Sequence, residues 1–326
     1  MKAVVTGGAG FIGSHMTELL LNCGYQVVVI DDLSVGTTKN LDHLKDFPKL
    51  ELVEKNILNS QKFISKFKGA DCVFHFAGIG DIVPSINEPL RYCETNISGT
   101  INVLEACRQA NVGQFIYAAS SSCYGIAETP TSEDAPIDLQ HPYAMSKYLG
   151  EQAALNWGKF YRFRVNSIRI FNAYGLRSKT TGAYGAVMGV FLRQKIEGVP
   201  FTVVGDGTQT RDFLNVKDLV KAFHLLSQSS CGLDVFNVGS GSPQSINHLV
   251  SLLNGPVINI PWRPGEPNCT WANISKIRHM TGWQPEIDFE AGVAELLENI
   301  SYWNEAPLWN TENIKLATDQ WFKFLG

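Results

Sequence analysis

The stretch that most restricts how this chain can fold is Met1 to Asp32. An apolar run, Lys2-Ala-Val-Val-Thr6, meets a glycine turn, Gly7-Gly8-Ala9-Gly10-Phe11-Ile12-Gly13. A helical pattern follows from Ser14 to Asn22, then a second apolar run from Gln26 to Ile30, ended by Asp31. In a strand-turn-helix-strand unit each glycine has its own task. Gly7 permits the tight turn, Gly10 lets backbone approach a diphosphate, and Gly13 brings helix against strand. The free amides at the helix start, with the positive end of its dipole, favour an anion there. A glycine turn alone occurs in many α/β proteins, but here an acid is placed as well. Asp31 stands 18 residues beyond Gly13, near the spacing at which a carboxylate accepts both hydroxyls of an adenosine ribose. A phosphate on that ribose would be repelled by Asp31 and Asp32, so the expected cofactor is NAD and not NADP.

Past Asp32 the alternation continues. Strand-like runs at Leu50 to Val53, Asp71 to Phe76, Phe115 to Ala119 and Val165 to Ile170 are interleaved with helical patterns at Ile97 to Ala110 and Tyr143 to Phe160. Strands alternating with helices, most of the strands apolar throughout, imply a parallel sheet covered on both faces, a doubly wound α/β fold. Beyond Asn172 the runs shorten between Gly and Pro, with helical patterns at Val216 to Leu226, Ile246 to Leu253 and Phe289 to Trp303. The 326 residues suffice for two cores. A boundary is expected near Gly175, giving a cofactor half at 1–175 and a smaller α/β substrate half at 176–326. A cleft would lie between them, and the chain would cross back near 211–240.

A net charge of -4 with no basic run gives no sign of a nucleic-acid partner. No apolar run approaches membrane-spanning length, and the first strand leaves no room for a signal peptide. The seven cysteines are odd in number and scattered, without a Cys-x-x-Cys pair. They read as reduced thiols in a cytoplasmic protein, not as a disulfide frame or a metal site.

Tyr143 and Lys147 lie four apart at the start of a helical pattern and so share a face. An ammonium beside a phenol is expected to lower the phenol's pKa and make it a usable base. By itself the pair would read as two surface side chains. Its context is Ala119-Ser-Ser-Ser-Cys-Tyr-Gly125, where a buried run ends in three hydroxyls. They would stand at the carboxyl edge of the sheet, where open α/β sheets bind ligands.

With these residues the sequence resembles the extended short-chain dehydrogenase/reductase family, and within it the NAD-dependent sugar-nucleotide epimerase/dehydratase group, from Met1 to about Tyr302. The resemblance runs through Thr6-Gly-Gly-Ala-Gly-Phe-Ile-Gly-Ser14, Phe74-His-Phe-Ala-Gly78, Pro142-Tyr-Ala-Met-Ser-Lys147, Arg169-Ile-Phe-Asn172, Gly205-Asp-Gly-Thr-Gln-Thr-Arg-Asp212 and Arg263-Pro-Gly-Glu266. It implies a Rossmann sheet, bound NAD, a nucleotide-sugar substrate and a homodimer paired through the helices at Ile97 to Ala110 and Tyr143 to Phe160. By the same resemblance Ser120 is the hydroxyl of a Ser-Tyr-Lys triad, with Ser122 beside it. Tyr143 is the base, and Lys147 also holds the nicotinamide ribose. Phe11, Ile12, Ile57, Ala77, Gly78 and Ile170 join the glycines, Asp31 and Asp32 around the cofactor, and Asn96 supports the site. Ser121, Asn172, Tyr184, Arg211 and Arg263 fall to the substrate, the arginines as a diphosphate clamp that suits their forked donors.

Two departures from the group's pattern matter. Asn56 stands where an aspartate usually accepts from the adenine amino group, although an amide oxygen can still accept. Ser121 and Ser122 stand where 4,6-dehydratases carry Asp-Glu and decarboxylases carry Glu at the second place. A hydroxyl of ordinary pKa does not readily remove a carbon-bound proton. The segment Thr180-Thr-Gly-Ala-Tyr-Gly-Ala-Val187 is similar to the loop of epimerases acting on UDP-hexoses and UDP-N-acetylhexosamines. The expected activity is therefore a UDP-sugar 4-epimerase. Rivals are a decarboxylase, 4,6-dehydratase, reductase or dehydrogenase of the same group, or an NAD-sensing regulator, since fold alone does not give function. The tail from Tyr302 onward, with Trp303, Trp309 and Trp321, extends past the group's usual end and is expected to dock on the body or on a subunit partner.

Overall fold

Seven parallel strands form the sheet that the apolar runs imply. The computed structural model describes residues 1–59, 63–178 and 187–325. In chain order the elements that place the site are β1 (Lys2–Thr6), α1 (Phe11–Asn22), β2 (Gln26–Asp31), β3 (Leu50–Glu54), β4 (Cys72–His75), α2 (Thr100–Ala110), β5 (Gln114–Ser120), α3 (Pro142–Tyr161), β6 (Arg164–Ile170), α4 (Val216–Gln228) and β7 (Asp234–Val238). Across the sheet the strands run β7-β6-β5-β4-β1-β2-β3. The order reverses between β1 and β4, and a reversal of this kind opens a crevice at the carboxyl ends of the strands.

Successive side chains of a strand point to opposite faces. Val5, Val29, Phe74, Ile116 and Phe236 pack with Met16 and Leu20 of α1 and with Leu219 and Phe223 of α4. Val4, Val28, Val73, Phe115 and Val165 pack on the other face with Val103, Leu104 and Cys107 of α2 and Ala154 of α3. Both faces are covered, which explains why most of these runs are apolar instead of alternating, while the polar residues of β6, Asn166, Ser167 and Arg169, are buried as well.

The helix that periodicity starts at Ile97 begins in α-register only at Thr100, because Glu94–Gly99 is wound as a π-helix. That wider turn places Asn96, 1% exposed, between Ile79 and Ser146. Pro142 opens α3 at a position where a backbone N–H has no partner within the helix. The pattern from Phe289 to Trp303 is a helix only to Glu298, followed by a 3-10 turn at Ile300–Trp303.

After β6 the chain leaves the sheet. Ala173–Tyr174 pairs in parallel with Leu214–Asn215, after which α4 leads back and β7 adds beside β6. A further apolar cluster, which includes Tyr174, Phe191, Phe201, Phe213 and Phe289, lies beyond this crossing. Trp303 and Trp321 belong to it and Trp309 packs against it, so the helix Thr311–Leu325 docks on the body of its own chain. Among the described residues no helix is long and apolar enough to cross a membrane. All seven cysteines are free thiols.

Candidate active site

The glycine turn lies at the reversal of the sheet. Gly7 has φ 68°, and a Cβ on it would stand 2.6 Å from the Ala77 nitrogen. A Cβ on Gly13 would stand 2.1 Å from the Gly7 carbonyl oxygen. Both obstacles are backbone, so neither position admits a side chain. Gly10 caps α1 with no side-chain hydrogen bond, which leaves the first amides of the helix to an anion.

These residues line a cleft of about 450 Å³ together with Phe11, Ile12, Asp31, Asp32, Asn56, Ile57, Ala77, Gly78, Tyr143, Lys147 and Ile170. The volume is that of an ordinary small-molecule site. Of the residues the sequence assigns to the cofactor, Asn96 alone is off this wall. Its Oδ1 accepts from Ile79 N at 2.8 Å and its Nδ2 donates to Ser146 Oγ at 2.9 Å. It fixes the backbone after β4 against α3, in keeping with a supporting position.

Asp31, 7% exposed, accepts from Ala9 N and Leu33 N, both at 2.9 Å. Burial pushes its carboxyl up, and the two backbone donors oppose the rise. The same carboxylate that would meet a ribose thus also holds the glycine turn. Asn56 donates to Asp32 Oδ2 at 2.6 Å, and its Oδ1 accepts from Leu58 N at 2.8 Å. An aspartate here would set two carboxylates against each other, whereas the amide makes a bond of the same contact. A free uncapped helix end, a glycine cradle and a carboxylate at the ribose position fit a dinucleotide.

Ser120 ends β5, and its Oγ accepts from Ser122 N at 3.2 Å. Ser121 and Ser122 begin the 3-10 turn that follows, Ser121–Tyr124. The expected lowering of Tyr143 by Lys147 is not what the folded protein does. Burial raises the phenol, a hydrogen bond with Ser120 opposes this, and the charge of Asp81 adds to the rise. The same burial takes the Lys147 ammonium from 10.5 down to about 7, with Glu151 pulling the other way. Lys147 Nζ lies 4.5 Å from the centre of the Tyr117 ring. Both groups are desolvated, and desolvation is the largest cause of each shift.

Beneath Lys147, Glu151 receives a forked pair of bonds from Arg169, at 2.6 and 3.0 Å, with side chains 1% and 6% exposed. On the substrate side, Asn172 Oδ1 accepts from Thr270 Oγ1 at 2.7 Å. Arg211 Nη2 donates to Glu266 Oε1 at 2.7 Å, and Arg263 Nη1 stands 3.8 Å from Glu266 Oε2. The two arginines converge, but on a carboxylate that belongs to the same Arg-Pro-Gly-Glu segment. Tyr184 and nearly all of its loop lie outside the described residues. Three neighbours of Tyr143 carry no motif and escape sequence inspection: His141, which stacks on it, Tyr92, whose ring meets it edge on, and Asp81.

A profile of the NAD dependent epimerase/dehydratase family matches residues 3–239. The chain is similar to the UDP-glucose 4-epimerase of Mycolicibacterium smegmatis, at 32% identity over 91% of this chain and 98% of that one. It is also similar to the UDP-N-acetyl-alpha-D-glucosaminuronate decarboxylase of Bacillus cytotoxicus, at 29% identity over 91% of this chain and 97% of that one. Among solved structures, the UDP-glucuronic acid 4-epimerase of Bacillus cereus, in complex with UDP-glucuronic acid and NAD, superposes with a TM-score of 0.85. The identity there is 30%, over 92% of this chain and 99% of that one.

Proposed function

Since the chain belongs to the NAD-dependent epimerase/dehydratase family and takes NAD as its cofactor, we propose that it is a nucleotide-sugar 4-epimerase, acting on UDP-hexoses or UDP-N-acetylhexosamines through a transient 4-keto sugar. The observation that carries this reading is the pair of hydroxyls, Ser121 and Ser122, directly after Ser120, at the end of the strand whose Ala118 and Ala119 line the cleft. Dehydration needs a group there that removes a carbon-bound proton, and a serine is poorly suited to it. The relatives named as 4-epimerases support the reading, and the decarboxylase among them names its rival.

Bound NAD supplies the hydride acceptor and donor, held by the Gly7–Gly13 turn, Asp31 and Lys147. Tyr143 takes the proton of the C4 hydroxyl, with Ser120 holding the oxygen in line, and gives it back once the keto sugar has presented its other face. Lys147 steadies the phenolate while the proton is away. Asn172, Arg211 and Arg263 retain the nucleotide while the sugar turns, and Glu266 keeps the two guanidiniums at one place until a diphosphate replaces it.

The test is a panel of UDP-, GDP-, CDP- and dTDP-sugars turned over in deuterated water and read by mass spectrometry and proton NMR. The expected product has the mass of the substrate and no carbon-bound deuterium. Deuterium at C5, loss of water, release of carbon dioxide or net NADH formation would each replace the epimerase by another member of the group. NAD binding with no turnover of any sugar would favour the sensor. Tyr143→Phe should reduce turnover by about 10²–10⁴-fold while bound NAD is retained.

A further inference from the structure

The C-terminal helix reaches the site through one side chain. Trp321, 5% exposed, donates its Nε1–H to the Pro264 carbonyl at 2.7 Å, inside the segment that carries Arg263 and Glu266. Its ring also lies 6.4 Å from that of His141. His141 stacks on Tyr143, with ring planes 3° apart and centroids separated by 5.9 Å. The imidazole is fixed as well as placed: its Nδ1 accepts from Ala144 N at 3.1 Å and so caps α3. Burial holds it down to about 4, so at neutral pH it is uncharged with its proton on Nε2. Tyr92 stands edge on to the phenol at 6.5 Å, and its hydroxyl donates to Asp81 O at 2.6 Å. The C-terminal helix also lies against the short helix Ile82–Asn87 that follows Asp81.

Burial alone does not tell what an indole donor is for: Trp283, 2% exposed, donates its Nε1–H to the Asp218 carbonyl at 3.0 Å from inside the core. Trp303 is 0% exposed and its Nε1 has no acceptor. Trp321 differs in aiming its donor at the backbone of a substrate segment while its ring backs the stack on Tyr143. Taking Tyr143 as the base and Arg263 as a substrate ligand, as proposed above, we infer that Trp321 is a positioning residue. It ties the Arg263–Glu266 segment to the His141 ring that sets the plane of Tyr143, so that seating the nucleotide and aligning the base are one event. Proton transfer demands a donor-acceptor approach of about 2.6–3.2 Å, and a misplacement of about 1 Å can cost on the order of a hundredfold in rate. An imidazole with a void behind it would allow such a retreat.

Two variants of the full chain with bound NAD separate the two contacts. Trp321→Phe keeps a ring against His141 and loses the donor to Pro264. Its KM for the nucleotide sugar should rise about two- to tenfold, the equivalent of one hydrogen bond, with kcat near wild type. Trp321→Leu removes both contacts, and kcat should then also fall by about tenfold or more. UDP affinity by calorimetry should follow KM in both variants. The Tyr143 titration, isolated by ultraviolet difference against Tyr143→Phe, should be displaced in Trp321→Leu and unmoved in Trp321→Phe. A lowered melting temperature with unchanged kcat, KM and phenol titration per NAD-containing site would overturn the inference and leave Trp321 a core residue. Should the wild type turn over no sugar, the epimerase reading fails. The phenol titration still decides the role of Trp321, because a titration that Trp321→Leu leaves in place refutes it without any substrate.

Discussion

Replacing Lys147 by methionine tests the electrostatics of the site on the folded protein itself. The lysine is 8% exposed, and burial brings its ammonium from 10.5 to about 7. In the unfolded chain the same group titrates near its ordinary value. Between those two values the unfolded chain holds a proton that the folded protein has released, so stability rises with pH across the window and levels off above it. Going from about pH 6 to about pH 9 spans roughly two units of that window. At about 1.4 kcal/mol per unit, the wild type should gain about 3 kcal/mol. Lys147→Met keeps the length and the apolar stem of the side chain but has no proton to release. Urea unfolding of the cofactor-free proteins at both pH values gives the comparison, since titrations common to the two proteins cancel. The expected difference of differences is about 3 kcal/mol in favour of the wild type at the higher pH. A value near zero, or of opposite sign, would show that Lys147 keeps its charge in the fold and would refute the placement of a neutralised amine beside Tyr117 and Tyr143. The same variant should come through purification with less bound NAD, because the ribose loses the hydrogen-bond donor that Nζ would offer it.

Asp31→Ala removes the acceptor of Ala9 N and Leu33 N together with the ribose acceptor. NAD affinity by calorimetry should fall by about ten- to a hundredfold, as one or more charge-assisted bonds are lost. Wild-type protein that yields mainly NADP on extraction would contradict it. Glu151→Gln leaves the Arg169 guanidinium buried without its carboxylate, so the urea midpoint should drop by the equivalent of about 3–5 kcal/mol. An unchanged midpoint would mean that the pair adds nothing to stability. We also propose a homodimer through α2 and α3. Around the outward face of α3, Leu149, Phe160 and Tyr161 are 41%, 63% and 48% exposed. Light scattering that finds a fully active monomer would refute it.

Most of the sheet was legible because a strand buried on both faces favours continuous Val, Ile, Phe and Ala, as the runs at Lys2, Gln26 and Phe115 show, whereas the strand at Val165 carries buried Asn166, Ser167 and Arg169 among its apolar residues. The glycine turn was legible because backbone contacts at Gly7 and Gly13 exclude every other residue. The π-helix at Glu94–Gly99 was not, since hydrophobic spacing does not register one extra residue per turn when a single side chain, Asn96, is what the register serves. Nor could the sequence say that Arg211 and Arg263 meet at Glu266, a contact between segments far apart in the chain. The direction of the Tyr143 shift was misjudged for a related reason. Spacing places Lys147 beside the phenol, but only the packing of α3 on β5 and β6 decides how much water both have lost. His141 gave no signal at all, because stacking on a catalytic ring requires no motif, and Trp321 stood out only as part of a tail expected to dock, not as a neighbour of the site.

The return of the chain to the sheet bears on how the protein is made. β6 and β7 are hydrogen-bonded neighbours, yet the segment between them contains the α4 helix and strands of other sheets. As the chain leaves the ribosome, β1 to β6 emerge first, and the outer row of N–H and C=O groups on β6 stays unpaired until Val238 has followed. An open row of this kind is a template for any other extended chain nearby. The sheet that borders the cleft therefore closes its last edge only after the whole excursion from Ala173 to Asn215 and the α4 helix have been synthesised.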